Sequence, residues 1–105
     1  MSVERRRELR VAVSITAIAM LKKQAVRLCI DNLSASGANL IGATDAVVGD
    51  LVQLLFEIED MPIDVAARVV RCERASRFSV EFLDLDDRIR AHLRAFVKQQ
   101  ISLGG

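Results

Sequence analysis

A chain of 105 residues suffices for one domain with one core, and 51% apolar residues against 28% charged is too apolar for bulk disorder. A net charge of +1 excludes a broad nucleic-acid surface, so an anionic ligand has to be caught by local clustering of positive charge. The two cysteines, Cys29 and Cys72, are too few and too far apart for a zinc site, and no apolar run reaches the roughly 18 residues of a membrane helix.

The chain opens on charge, with Arg5, Arg6, Arg7 and Arg10 as its densest cationic cluster. Residues 1–9 lack the apolar alternation that would dock them, and they are expected to form a flexible arginine-rich arm. No apolar signal core follows the arginines, because Ser14 and Thr16 interrupt the run, so the expected compartment is the cytoplasm.

Alternation of period two then dominates residues 10–83. Val11, Val13 and Ile15 share one face, and Val26, Leu28 and Ile30 form a second run. A short third piece lies around Ala38–Ile41. Val52, Leu54, Phe56 and Ile58 make the fourth, Ile63, Val65, Ala67 and Val69 the fifth, and Phe78, Val80 and Phe82 the sixth. Between the runs, Gly37, Gly42 and the Gly49-Asp50 pair allow positive φ or tight bends. Glu59-Asp60-Met61-Pro62 fits a hairpin connection that keeps the only proline outside the ladder. Six short strands with a single apolar face must close up or be covered, since open edges invite aggregation.

After Phe82 the period changes. Leu85, Ile89, Leu93, Phe96, Val97 and Ile101 draw one stripe on a helix over residues 84–101, with Asp84 as N-cap and Asp86 and Asp87 favoured by the helix dipole. The expected fold is all-β with one helix: a six-stranded antiparallel β-barrel plus a C-terminal amphipathic helix, as a single domain over 1–105.

Catalytic machinery is not visible. The single histidine, His92, falls beside the apolar stripe of the helix, with no second histidine, paired cysteine or serine–base arrangement near it in sequence. Glu57, Glu59, Asp60 and Asp64 sit on a hairpin tip, where acidic residues are ordinarily solvated. Neither a catalytic residue nor a metal ligand is expected, and the chain reads as a non-enzyme.

Two short patterns carry more. Arg6-Arg7-Glu8-Leu9-Arg10 is an R-x-x-x-R spacing just ahead of the first strand, which alone also fits a solvated basic tail. Asn32-Leu33-Ser34-Ala35-Ser36-Gly37 is an N-x-S-x-x-G turn, which alone fits a structural turn. In this order, on this strand pattern, the chain resembles the PilZ domain family, whose ligand signature is R-x-x-x-R followed by D/N-x-S-x-x-G. Gly37-Ala38-Asn39-Leu40, Gly49-Asp50-Leu51-Val52 and Phe78-Ser79-Val80-Glu81-Phe82 are also similar to the family's later strands, so the resemblance covers most of the chain.

The resemblance implies a receptor for the bacterial second messenger cyclic di-GMP, bound through Arg6, Arg10, Asn32, Ser34 and Gly37. The residue types suit that ligand. An arginine fork pairs with guanine O6 and N7 or grips phosphate oxygens, and its planar cation stacks on a base. Asn32 stands where the family more often has aspartate, replacing a charged acceptor with a neutral amide. Arg5, beside Arg6, adds a guanidinium that could serve a second nucleotide. No cofactor is implied. A single small domain has to pass its message to another protein, such as a motility, secretion, exopolysaccharide or methyltransferase component. The alternative is a PilZ-type adaptor that works by protein contact without nucleotide. An RNA- or single-strand-binding barrel would want aromatic platforms, and the chain has no Trp or Tyr.

Overall fold

The in–out alternation becomes six strands and one helix in the computed structural model, which describes residues 9–73 and 76–104. The strands are β1 (Arg10–Leu21), β2 (Gln24–Ser34), β3 (Gly37–Ile41), β4 (Leu51–Ile58), β5 (Met61–Cys72) and β6 (Arg77–Leu83), and the helix is α1 (Asp87–Gly104). Every neighbouring pair is antiparallel, and the sheet closes into a barrel in the order β1-β2-β3-β6-β5-β4. Closure removes the open edges that such a sheet would otherwise expose. Of the arm expected over residues 1–9, residues 1–8, Arg5 and Arg6 among them, lie outside the described residues.

The order amounts to two three-stranded meanders, β1-β2-β3 and β4-β5-β6, joined along two seams. The β3–β6 seam pairs all of Gly37–Ile41 with Arg77–Glu81. The β1–β4 seam is shorter, with Ile18, Ala19 and Met20 opposite Leu55, Leu54 and Gln53. Inside, Ile30, Leu33, Leu40, Leu54, Ile58 and Ile63 are fully buried, and α1 adds Leu93, Phe96 and Val97 to the same core. Each such Leu or Ile contributes roughly 1.5–3 kcal/mol of burial free energy. Phe56 stacks on Phe82 with ring centroids 6.4 Å apart.

The helix starts later than its apolar stripe suggests. Asp86 Oδ1 accepts a 2.7 Å hydrogen bond from the Arg88 amide, which makes Asp86, not Asp84, the N-cap. Asp84 instead takes φ 50°, turning the chain out of β6. His92 Nε2 donates to the Ile58 carbonyl at 3.1 Å and so ties α1 to the end of β4.

Pro62 also departs from expectation: it sits inside β5, opposite Glu57. Glu59 and Asp60 alone make the turn, at φ 51° and 68°, so β5 begins at Met61. In a two-residue hairpin the pair next to Ile58–Met61 is not hydrogen-bonded, so the missing Pro62 N–H points away from β4. The β6 ladder starts only at Ala66, so no bond is lost on that side either. Of the expected turn glycines, Gly42 and Gly49 take positive φ, at 155° and 98°, whereas Gly37 does not.

Candidate functional site

Register brings the two halves of the signature together. β1 pairs with β2 so that Arg10 lies opposite Ser34 and Ala12 opposite Asn32. Arg10 is exposed at the start of its strand. Asn32 is its diagonal neighbour, and diagonal positions on one face lie roughly 7–8 Å apart, within reach of an arginine.

A bulge aims Asn32. The β2–β3 pairing steps from Ile30↔Leu40 to Asn32↔Asn39, which leaves Asp31 as the extra residue, and β1 also shifts register between Ala12 and Ile15. Asp31 and Asn32 are consequently both half-buried polar residues between the core residues Ile30 and Leu33. Asp31 Oδ2 accepts from Arg77 at 2.6 Å, while Asp31 Oδ1 and Asn32 Oδ1 are buried with no hydrogen-bond partner among the described residues. An unsatisfied buried acceptor costs about 1–3 kcal/mol, so each of these two favours a donor from beyond the described residues, water included.

Ser34 and Gly37 do different work. Ser34 is 1% exposed, and its Oγ accepts from the Ser36 and Gly37 amides at 3.2 and 3.1 Å and donates to the Gly37 carbonyl at 3.3 Å. It ties the β2–β3 turn to itself. A Cβ on Gly37 would meet the Val80 carbonyl oxygen at 2.4 Å, so glycine lets β3 approach β6. These two residues build the turn, and Arg10 and Asn32 face outward beside it. Arg5 and Arg6 fall outside the described residues.

The wall continues beyond the signature. Asn32 neighbours Asn39, which neighbours Ser79, which in turn neighbours Arg71 across β2, β3, β6 and β5. Ser79 Oγ donates to Asn39 Oδ1 at 2.7 Å, fixing that amide's orientation. Period two puts Asp31, Arg77 and Ser79 at the positions alternating with the apolar residues of β2 and β6 but does not connect them. The Arg77–Asp31 pair joins residues 46 apart in sequence, a separation that local pattern cannot span. No group of three or more potential metal ligands occurs among the described residues, and none of their helices is long and apolar enough to cross a membrane.

Solved structures share this architecture. The PilZ domain of YcgR from Escherichia coli, solved with c-di-GMP, is 15% identical, with a TM-score of 0.76, over 95% of this chain and 94% of that one. The Bacillus subtilis inhibitor of motility MotI/DgrA is 17% identical with a TM-score of 0.76 over 93% of this chain, which spans about half (52%) of that protein. The PilZ domain of CeSA from a cellulose-synthesizing bacterium is 14% identical with a TM-score of 0.67, over 91% of this chain and 98% of that domain. No curated protein sequence matches the chain. At these identities the likeness establishes the fold. The family model of the PilZ domain matches residues 4–99, nearly the whole sequence, and the chain belongs to that family.

Proposed function

We propose that the domain is a receptor for cyclic di-GMP with no catalytic step of its own, and that it relays the bound state to a partner protein. One observation carries the reading: the buried Oδ1 of Asn32, without a hydrogen-bond partner among the described residues, stands on the strand beside Arg10, two residue pairs along the β1–β2 ladder. Guanine presents both complements to this pair. Its N1–H and N2–H groups donate to an amide oxygen, and its O6 and N7 accept from a guanidinium fork. Arg5 and Arg6, upstream of Arg10, would bring further cations to the phosphates. The c-di-GMP in the YcgR structure supports the same ligand class.

The test is calorimetric titration of the full chain with cyclic di-GMP, with GTP and cyclic di-AMP as controls. Saturable binding selective for cyclic di-GMP supports the receptor. Absence of heat at millimolar ligand would remove it. A second reading, an adaptor acting by protein contact alone, is favoured by the outer wall, where Met20, Leu51, Leu55, Val47 and Val48 are exposed apolar residues. It predicts partner capture that is unchanged by nucleotide.

A further inference from the structure

The outer wall of the barrel changes character where β1 meets β4. Residues directly opposite one another on neighbouring strands share a face, so the register can be followed straight across four strands. Ile18 pairs with Arg27 of β2 on one side and with Leu55 of β4 on the other, and Leu55 pairs in turn with Asp64 of β5. Their neighbours along the strands, Ala17, Ala19, Leu28, Leu54, Ile63 and Val65, are buried. The row Arg27–Ile18–Leu55–Asp64 therefore faces outward. The next outward row, Ala25–Met20–Gln53–Ala66, carries no charge.

The first row has a cation at one end, a carboxylate at the other and two apolar side chains between them. Leu55 is 41% exposed, and Met20, diagonal to it, is 42% exposed, so the middle of the wall leaves apolar surface in water. Arg27 forms no ion pair among the described residues. Asp64 accepts a 2.6 Å hydrogen bond from Gln53 Nε2 but meets no cation among them. Arg68, further along β5, pairs instead with Glu81 of β6 at 3.9 Å.

A surface of this pattern is complementary to itself. Two walls pressed face to face are exchanged by a two-fold axis lying in the plane of contact, and an axis along the β1–β4 seam lays each row on its own reverse. Arg27 then meets Asp64 of the second copy, Ile18 meets Leu55 of the second copy, and symmetry forms each contact twice. An axis across the strands would set Ile18 on Met20 and Arg27 on Ala25, leaving both charges unmatched. We infer that the β1–β4 wall binds a second copy of this chain, as an isologous dimer with reciprocal Arg27–Asp64 contacts. Opposite charges at the edge of an apolar contact fix its register and reject like-charged partners. The inference stands apart from the receptor reading, since Ile18 lies eight residues along β1 from Arg10, roughly 26 Å away.

The experiment is analytical ultracentrifugation of the full chain, without nucleotide, over about 1–300 µM. It compares the wild type, Arg27→Asp, Asp64→Lys and an equimolar mixture of the two variants. Both side chains are exposed, so both variants should fold and melt like the wild type. The wild type should show a monomer–dimer equilibrium in this range. Each variant alone sets like charges against each other at both contacts, and its dimer dissociation constant should rise by about tenfold or more. In a mixed dimer the introduced aspartate faces the introduced lysine at one contact, and native Arg27 faces native Asp64 at the other. The mixture should therefore dimerise about as well as the wild type. A wild type that stays monomeric throughout leaves the wall to a different protein and overturns the dimer. A dimer that neither variant weakens places the contact elsewhere and overturns it too. So does a pair of weakened variants whose mixture fails to recover.

Discussion

Asn32 and Ser34 sit two residues apart in one motif, yet their surroundings differ: Ser34 Oγ is bonded within the turn, and Asn32 Oδ1 has no partner among the described residues. Asn32→Asp is expected to hold or improve cyclic di-GMP affinity, because a carboxylate accepts the guanine N–H groups more strongly than an amide does. Asn32→Ala should lose about 1–3 kcal/mol of binding with a smaller change in Tm, because its Oδ1 has no partner to lose within the described fold. Arg10→Ala should weaken binding by about 1.5–3 kcal/mol and leave the melting curve in place, as the side chain is exposed. Ser34→Ala should behave in the reverse way. It removes the hydroxyl that accepts from the Ser36 and Gly37 amides, so the protein should melt early, by about 1–3 kcal/mol, and lose affinity only as the turn loosens. Differential scanning calorimetry and ligand titration on the same four proteins decide the matter; an Asn32→Ala protein that melts early and binds normally would end the direct-contact role. The motif spacing made these residues visible in the sequence. Their different surroundings were not, because these depend on a bulge at Asp31 and on a backbone approach by Val80, both set by strands remote in sequence.

Elements were more legible than their ends. Alternation fixed all six strands because one face of each is buried, and burial pattern is what period two records. Ends depend on turn geometry, and here the turn residues are unusual. Lys22 and Lys23 close the β1–β2 hairpin at φ 52° and 67° without the glycine or asparagine that ordinarily marks such a turn. Glu59 and Asp60 do the same for β4–β5, which is why Pro62 was expected outside a ladder that in fact contains it. At the helix, three aspartates lie in four positions, and the expected cap, Asp84, gives way to Asp86, whose Oδ1 accepts from the Arg88 amide. Asp86→Ala should therefore lower stability by about 1 kcal/mol and fray the first turn of α1, whereas Asp84→Ala should not fray it. Amide exchange at Arg88 and Arg90 reads the difference. Equal fraying in both variants would return the cap to Asp84.

At the scale of the molecule, the two meanders form from neighbours in sequence and the seams from residues far apart, so the seams carry most of the loop-closure entropy. The seams are unequal: five residue pairs join β3 to β6 and three join β1 to β4. Local opening should therefore begin at β1–β4, and amides of Ile18, Met20 and Leu55 should exchange faster than those of Asn39, Leu40 and Val80. Uniform protection across both seams would contradict this. The short seam has a further consequence. The barrel is a bracelet with a narrow clasp, and the half of β1 before the clasp, which carries Arg10, has β2 as its one pairing strand among the described residues. A ligand that bridged Arg10 to Asn32, as proposed, would rivet that half to its neighbour, and the clasp beyond it would then close on a stiffer strap. What a partner would sense on the far side is the stiffness of the hoop, with no need to touch the nucleotide.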